Sequence, residues 1–452
     1  MRTSTLLLTL AVALGVAATP ASAQPLSARR IALTDVTVID GTGTAPRRGM
    51  TVLVEDGHIA AVFPNGSRAV PADAARPDVA GSFVIPGLID SHVHLATFDR
   101  PDNILRAILR FSLLGGVTTV RDMGGNAERV MQLAHRADSA GVLSPRIYAS
   151  AVFAGAEWFA NYDSTRVAYW SGNAPKGQAV GARRIDDNTD IAAAVRAAKA
   201  LGVRGIKLYS GLTAAQVERI GRETKAQGLA VWAHAVAQPS LPLEVLAAGP
   251  TTTSHADMLI WTAMPPGTPG VGTRAERTRL IASVRPDAEV MQTLYRRMVR
   301  DRVLLEPTLI VMQLGDVENG RFGPLGEVQA WSVAATRAAH RAGVGIVAGT
   351  DAIGQQTPNI HTEMQVLVTQ VGLTPLQAIQ AATQHGAQAL GLADSTGTVT
   401  VGKWADLVVL RADPSADIRN TQTVRWVMQR GVLHERSTPW QLSPGAEPPP
   451  AH

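Results

Sequence analysis

No cysteine occurs anywhere in the 452 residues. That excludes disulfides, thiolate metal ligands and a lipid-anchored cysteine. Aromatic residues make up only 4% of the chain and charged residues 17%, against 46% hydrophobic, which is the balance of a globular protein. No dense basic run interleaves with aromatics. The formal charge of +5 and pI near 9.8 therefore read as arginines spread over a solvated surface, not as a nucleic-acid footprint. After the first two dozen residues no stretch is long and uncharged enough to span a membrane. The start itself, Met1-Arg2, the apolar run from Leu6 to Val16 and then Ala21-Ser-Ala23, has the parts of a secretory signal peptide. The expectation is a soluble exported protein, periplasmic or secreted, with its mature start at Gln24. Its oligomeric state, homo-oligomer included, stays open.

What is present is organised around residues 83 to 95, Phe-Val-Ile-Pro-Gly-Leu-Ile-Asp-Ser-His-Val-His-Leu, an apolar β-prone segment running into two histidines. Side chains two apart on a strand point the same way, so His92 and His94 can converge on one cation while Val93 packs behind them. His-x-His alone is a weak signal, because a zinc site needs about four donors. Further donors follow in order: Lys207 in Gly-Ile-Lys-Leu-Tyr, His234 in Val-Trp-Ala-His, His255 in Thr-Thr-Ser-His, and Asp351 in Val-Ala-Gly-Thr-Asp. Each ends a short apolar run and precedes a loop or a helical pattern, the position at which a (β/α)8 barrel carries its chemistry.

The alternation of such runs with helical stretches predicts α/β architecture, a (β/α)8 TIM-like barrel over residues 83–395. Its helices are expected at 103–114, 127–140, 191–201, 214–227, 241–248, 288–300, 328–342 and 375–390. Residues 24–82 and 396–436 contain short β-rich runs, with a hairpin turn at Glu55-Asp-Gly-His, and predict one small β-sandwich built from both chain ends. Residues 1–23 form the leader and the proline-rich 437–452 a disordered tail.

At these residues the chain resembles the amidohydrolase superfamily, in particular its imidazolonepropionase-like branch of metal-dependent amidases and dipeptidases. The likeness is carried by Pro-Gly-Leu-Ile-Asp-Ser-His-Val-His, Gly-Val-Thr-Thr-Val-Arg-Asp, Ala-Gly-Thr-Asp-Ala and the closing Gly-Lys-Trp-Ala-Asp-Leu-Val-Val-Leu. It implies two divalent metal ions, with His92, His94 and Asp351 on the more buried one and His234 and His255 on the more exposed one. Lys207, one of very few lysines, would take up carbon dioxide and bridge them as a carbamate. Imidazole and carboxylate donors fit zinc, with manganese, cobalt or nickel as alternatives. The implied reaction is hydrolysis of an amide or peptide C–N bond in a small molecule, a dipeptide or N-acyl amino acid, with Asp351 as proton shuttle. Alternatives on the same site are a lactone, carbamate, phosphotriester or cyclic amidine, and from another class an inactive scaffold relative.

Other residues carry paired readings. Tyr209, two beyond Lys207, points to the same side and either touches substrate or packs at the rim. His361, after Asp351, resembles the family's histidine near the mouth and is a candidate substrate contact. Arg121-Asp122 either orients neighbouring loops or forms an internal ion pair. His58 falls on the surface hairpin, and His135, His340 and His385 lie in helical patterns, where packed or solvated roles dominate. Phe153, Trp158, Phe159, Tyr162, Tyr169 and Trp170 either wall the pocket or form a small core. Arg274, Arg277 and Arg279 either hold a substrate carboxylate or face water.

Overall fold

The computed structural model describes residues 25–436 except 140, 162–163, 269–272, 312–324 and 354–359. The expected leader, Tyr162 and the tail from Ser437 lie outside those residues. Strands Leu88–His94, Val117–Asp122, Arg146–Gly155, Gly205–Leu208, Ala230–His234, Thr252–Ser254 and Leu304–Glu306 run parallel in that order around a barrel. The circle closes through residues 345–353. Ile346 bridges Leu305 in parallel on one side, and Ala352–Ile353 pairs with Val93–His94 on the other. These strands are short and buried nearly throughout, as parallel strands covered on both faces must be. An extra strand, Ala182–Ile185, lies beside Val152–Gly155 where strand two has ended.

Helices return between the strands close to their expected bounds, among them Asp102–Leu114, Ala127–Ala137, Ile191–Leu201 and Ala214–Ala226. Their starts follow local chemistry. Asn126 and Asp190 accept from backbone N–H groups three residues on, and Thr213 with Gln216 forms a capping box. The expected helix over 375–390 is instead two, Pro375–Ala381 and Gln384–Ala389. Its interruption has a cause in the barrel floor: the Ala381 and Ala382 carbonyls accept from Ala348 and Ile89 N–H at 3.1 and 2.7 Å. Those carbonyls are thereby spent on the strands.

Both chain ends build one eight-stranded sheet, in which Leu407–Leu410 and Val424–Gln429 from the C-terminal part join Arg30–Val38, Arg47–Glu55 and His58–Pro64. Its two halves share a core that includes Leu33, Val52, Ile59, Leu407 and Met428. The hairpin turn falls at Asp56-Gly57, both at positive φ (48° and 76°), the geometry of a type I′ turn. One expectation is corrected here: residues 83–95 are not one continuous strand. Phe83–Pro86 pairs with Leu407–Leu410 in the small sheet, and the barrel starts at Leu88. The handover is at Gly87, where a Cβ would stand 2.1 Å from the Thr118 hydroxyl.

Candidate metal centre

The alternation of strand one brings His92 and His94 onto one side, with Nε2 atoms 3.3 Å apart. Asp351 Oδ1 faces both, 3.4 Å from His92 Nε2 and 3.0 Å from His94 Nε2. These three donors lie within 4.8 Å of one another, tight enough for one cation. His255 closes the opposite side, its Nδ1 3.8 Å from Asp351 Oδ2. The His234 and His255 ring centroids are 5.1 Å apart. Lys207 is fully buried below and donates to Ser254 Oγ at 3.1 Å. All six expected donors therefore meet in one place.

Neighbouring groups fix these side chains. Asp90 accepts from Thr350 N–H and hydroxyl at 3.0 and 2.7 Å, locking strand one against the Asp351 segment. Asp122 accepts from Leu95 and Gly124 N–H, and the Gly124 carbonyl in turn receives His94 Nδ1 at 2.6 Å. Thr308 Oγ1 stands 2.8 Å from His255 Nδ1. Glu306, at the end of strand seven, accepts from Arg121 Nη2 at 2.6 Å and from Ser254 Oγ at 3.0 Å. Arg121 does not pair with Asp122. The internal ion pair runs across the barrel to Glu306, while Asp122 orders the loop after strand one.

Burial dominates the electrostatics. It lowers the pKa of His92, and together with the charge of Lys207 it holds His234 well below the usual value. Burial, reinforced by His92 and Lys207, puts His255 at about 4. Neutral imidazole is the form that binds metal. His94 shifts upward: burial opposes, but the Asp351 carboxylate, Asp122 and the Gly124 carbonyl together outweigh it. Burial would raise Asp351, but His92, His94 and His255 outweigh it and hold the carboxyl below its ordinary range. Burial likewise opposes, and Arg121 and His92 outweigh, at Glu306, which falls to about 2. Lys207 is lowered to about 7 by burial and then Arg121, against the pull of Glu306 and Asp351. The donor set fits divalent metal: nitrogen and oxygen only, with the buried His234 Nδ1 and Asp351 Oδ1 lacking any hydrogen-bond partner among the described residues.

A pocket of about 440 Å³ opens above these donors, lined by His94, His234, His255 and Asp351 at its base and by Trp158, Trp170, Tyr209, Arg166, Glu157 and Gln238 among its walls. Tyr209 lies with its ring centroid 4.1 Å from that of His234, tilted by 45°, and it lines the pocket. The aromatic segment divides its roles. Trp158 and Trp170 line the pocket, Phe159 packs behind them, and Phe153 belongs to the main core.

Two expectations are corrected. His361 does not reach the pocket: its Nε2 donates to the Gly115 carbonyl and its Nδ1 meets the Thr421 hydroxyl, both at 2.8 Å. Burial holds that ring at about 4, hence neutral. Arg277 is paired with Asp257 and Arg279 with Glu276, and neither is among the residues that line the pocket; the Arg274 side chain lies outside what the structure describes. Among the described residues the cation in the pocket wall is Arg166. Sequence reasoning also missed Glu306, Asp90 and Thr308. Glu306 did have a signal, an acid ending the apolar run Val303-Leu-Leu-Glu, as Asp351 ends its own.

Fold and donor set together define a class: parallel barrels whose metal site lies at the carboxyl ends of the strands, beneath a small-molecule pocket. The amidohydrolase family profile matches residues 83–282 and 325–433. The chain belongs to the amidohydrolase family, which is metal-dependent. It is 41% identical over 75 residues to an enamidase of Eubacterium barkeri, 16% of this chain and 19% of the relative. It is 36% identical over 119 residues to an imidazolonepropionase of Cereibacter sphaeroides, 26% of this chain and 28% of that one. The matches thus span less than a third of those relatives' length. A Bifidobacterium longum protein assigned as a prolidase superposes with a TM-score of 0.67 at 26% identity, over 92% of this chain and 96% of that structure.

Proposed function

We propose that this protein hydrolyses an amide or peptide C–N bond in a small substrate, a dipeptide or N-acyl amino acid, using two divalent ions, zinc by preference. The observation that carries the reading is the cluster of His92, His94 and Asp351 within reach of one cation, with His94, His234, His255 and Asp351 lining one pocket beside Trp158, Trp170 and Tyr209, and Lys207 fully buried against Ser254. Bound ions of this kind make a water acidic near neutral pH and polarise a carbonyl. Asp351, held ionised by its histidine neighbours, accepts the proton of the attacking water and passes it to the leaving amine. Tyr209 donates a hydrogen bond from its phenol to the substrate carbonyl or carboxylate. Lys207 is buried and partly neutral, so its Nζ could attack carbon dioxide, form an N–C bond and release a proton, and the resulting carbamate oxygens would help to hold divalent ions.

The wall supports a substrate class. Trp158, Trp170 and Tyr209 suit an apolar side chain, and Arg166, whose guanidinium lies 4.4 Å from the Phe98 ring, suits a carboxylate. The leader pattern of residues 1–23 supports export, and no helix among the described residues is long and apolar enough to cross a membrane. The test is a library of dipeptides, N-acyl amino acids and esters assayed with zinc-loaded mature protein. Free acids with a bulky apolar residue should exceed their C-terminal amides and polar analogues in kcat/KM. Turnover confined to esters or lactones would reject the amide reading, and equal rates for acid and amide pairs would remove the Arg166 contact.

A further inference from the structure

We infer that Glu306 is a positioning residue for the metal centre: its Oε1 selects which nitrogen of His92 is left for a cation, and its Oε2 anchors the floor under Lys207. The inference rests on the metal-site reading above and adds to it a side chain from Leu304–Glu306, one of the strands that contribute no donor of their own. Glu306 is fully buried. Its Oε2 is taken by Arg121 Nη2 at 2.6 Å and Ser254 Oγ at 3.0 Å, and the same Ser254 Oγ receives Lys207 Nζ at 3.1 Å. Its Oε1 has no hydrogen-bond partner among the described residues, and neither has His92 Nδ1. These two buried orphans stand 3.1 Å apart.

Only one arrangement satisfies both atoms. With the His92 proton on Nδ1, an N–H faces the carboxylate and the Nε2 lone pair faces His94 and Asp351. The other tautomer would set a nitrogen lone pair against a carboxylate oxygen in a buried site. A carboxylate behind a metal-binding histidine is the usual device for fixing tautomer and ring orientation. The space for the contact is reserved by Gly349, where a Cβ would stand 2.6 Å from Glu306 Oε1 and 2.8 Å from His92 Cβ. Arg121 keeps the carboxylate from swinging away. It is itself held by the Ser91 carbonyl at 2.6 Å and by the Trp232 ring 4.8 Å from its guanidinium.

The test compares the full mature protein with Glu306→Gln by zinc content, zinc affinity from chelator competition, and the visible spectrum of the cobalt form. Zinc affinity should fall roughly 10- to 100-fold with an altered cobalt spectrum, and kcat should fall by more than KM rises. A folded variant with affinity within about twofold of wild type and an unchanged spectrum overturns the inference. Because Glu306→Gln leaves Arg121 buried without its counter-charge, the Arg121→Met, Glu306→Gln pair is measured alongside. Weakened zinc binding in the pair supports positioning by Glu306, and wild-type affinity overturns it. Wild-type protein that takes up no divalent ion defeats the metal-site reading and this inference with it. Ion bound equally by wild type and variants defeats the inference alone.

Discussion

In the proposed reaction Asp351 carries the proton transfer, and its backbone is held at a φ of +52°, in the left-handed region. Its N–H donates to the His92 carbonyl at 2.8 Å, which fixes the strained residue beside the histidines. Asp351→Asn should lower kcat by roughly 10²–10⁴-fold, the usual worth of a proton-transfer group, with KM nearly unchanged. Steady-state kinetics on metal-replete protein checks this, and an unaltered rate with metal retained would remove the proton shuttle. Lys207→Ala and Lys207→Arg should lose metal and activity together, since neither side chain forms a carbamate, and short carboxylates should partly restore the alanine variant. Carbonate-dependent metal loading should also quicken as pH rises through about 7, because only the neutral amine attacks carbon dioxide. Loading indifferent to carbonate and pH would contradict the bridge. The six candidate donors were legible one by one, each a distinctive group at the end of an apolar run. Asp90, Glu306 and Thr308 were not, because their work is defined by partners hundreds of residues away, such as Arg121 for Glu306 and Thr350 for Asp90.

The mouth of the barrel depends on how closely its staves approach. Gly155 ends strand three against Gly211 beyond strand four, and a Cβ at Gly155 would fall 1.6 Å from the Gly211 carbonyl oxygen. That obstacle is backbone, so no side-chain rotation relieves it. Gly155→Ala should cost about 1–3 kcal/mol by overpacking and raise KM, because Ser210 and Gly211 line the pocket. Chemical denaturation with parallel kinetics measures both; a neutral substitution would show that the two strands can part freely. Glu363 does related work between the last two staves, since its buried carboxyl accepts from Leu309 and Ile310 N–H at 3.0 and 2.9 Å. It thereby holds the turn that carries Thr308 to His255. Element order and most helix bounds followed from periodicity and caps. The break in 375–390 did not, because the strand amides that take up the Ala381 and Ala382 carbonyls are invisible to a local pattern.

On the scale of the whole molecule, His361 joins three parts: its own helix Ile360–Val366, the Gly115 carbonyl ahead of strand two, and Thr421 of the C-terminal segment. Burial, with Arg436 adding to it, depresses its pKa to about 4, against about 6.5 in an unfolded chain. The neutral ring therefore contributes stability that is fully present above about pH 6.5 and is lost as pH falls towards about 4, up to about 3 kcal/mol. His361→Asn should flatten that acid limb in a series of melting curves between those pH values. An unchanged slope would show that the junction does not titrate. The sequence alone determined the barrel and the sheet made from both ends, because these depend on local periodicity, and it singled out six candidate donors by side chains whose chemistry is rare. Tertiary structure alone decided that His361 is a buried strut and not a substrate contact, that Arg166 and not Arg277 or Arg279 faces the pocket, and that Arg121 pairs with Glu306 across the barrel. Each of those roles is set by what a side chain meets from a distant part of the chain, and a buried charge or ring must find its partner wherever closure of the barrel has placed one.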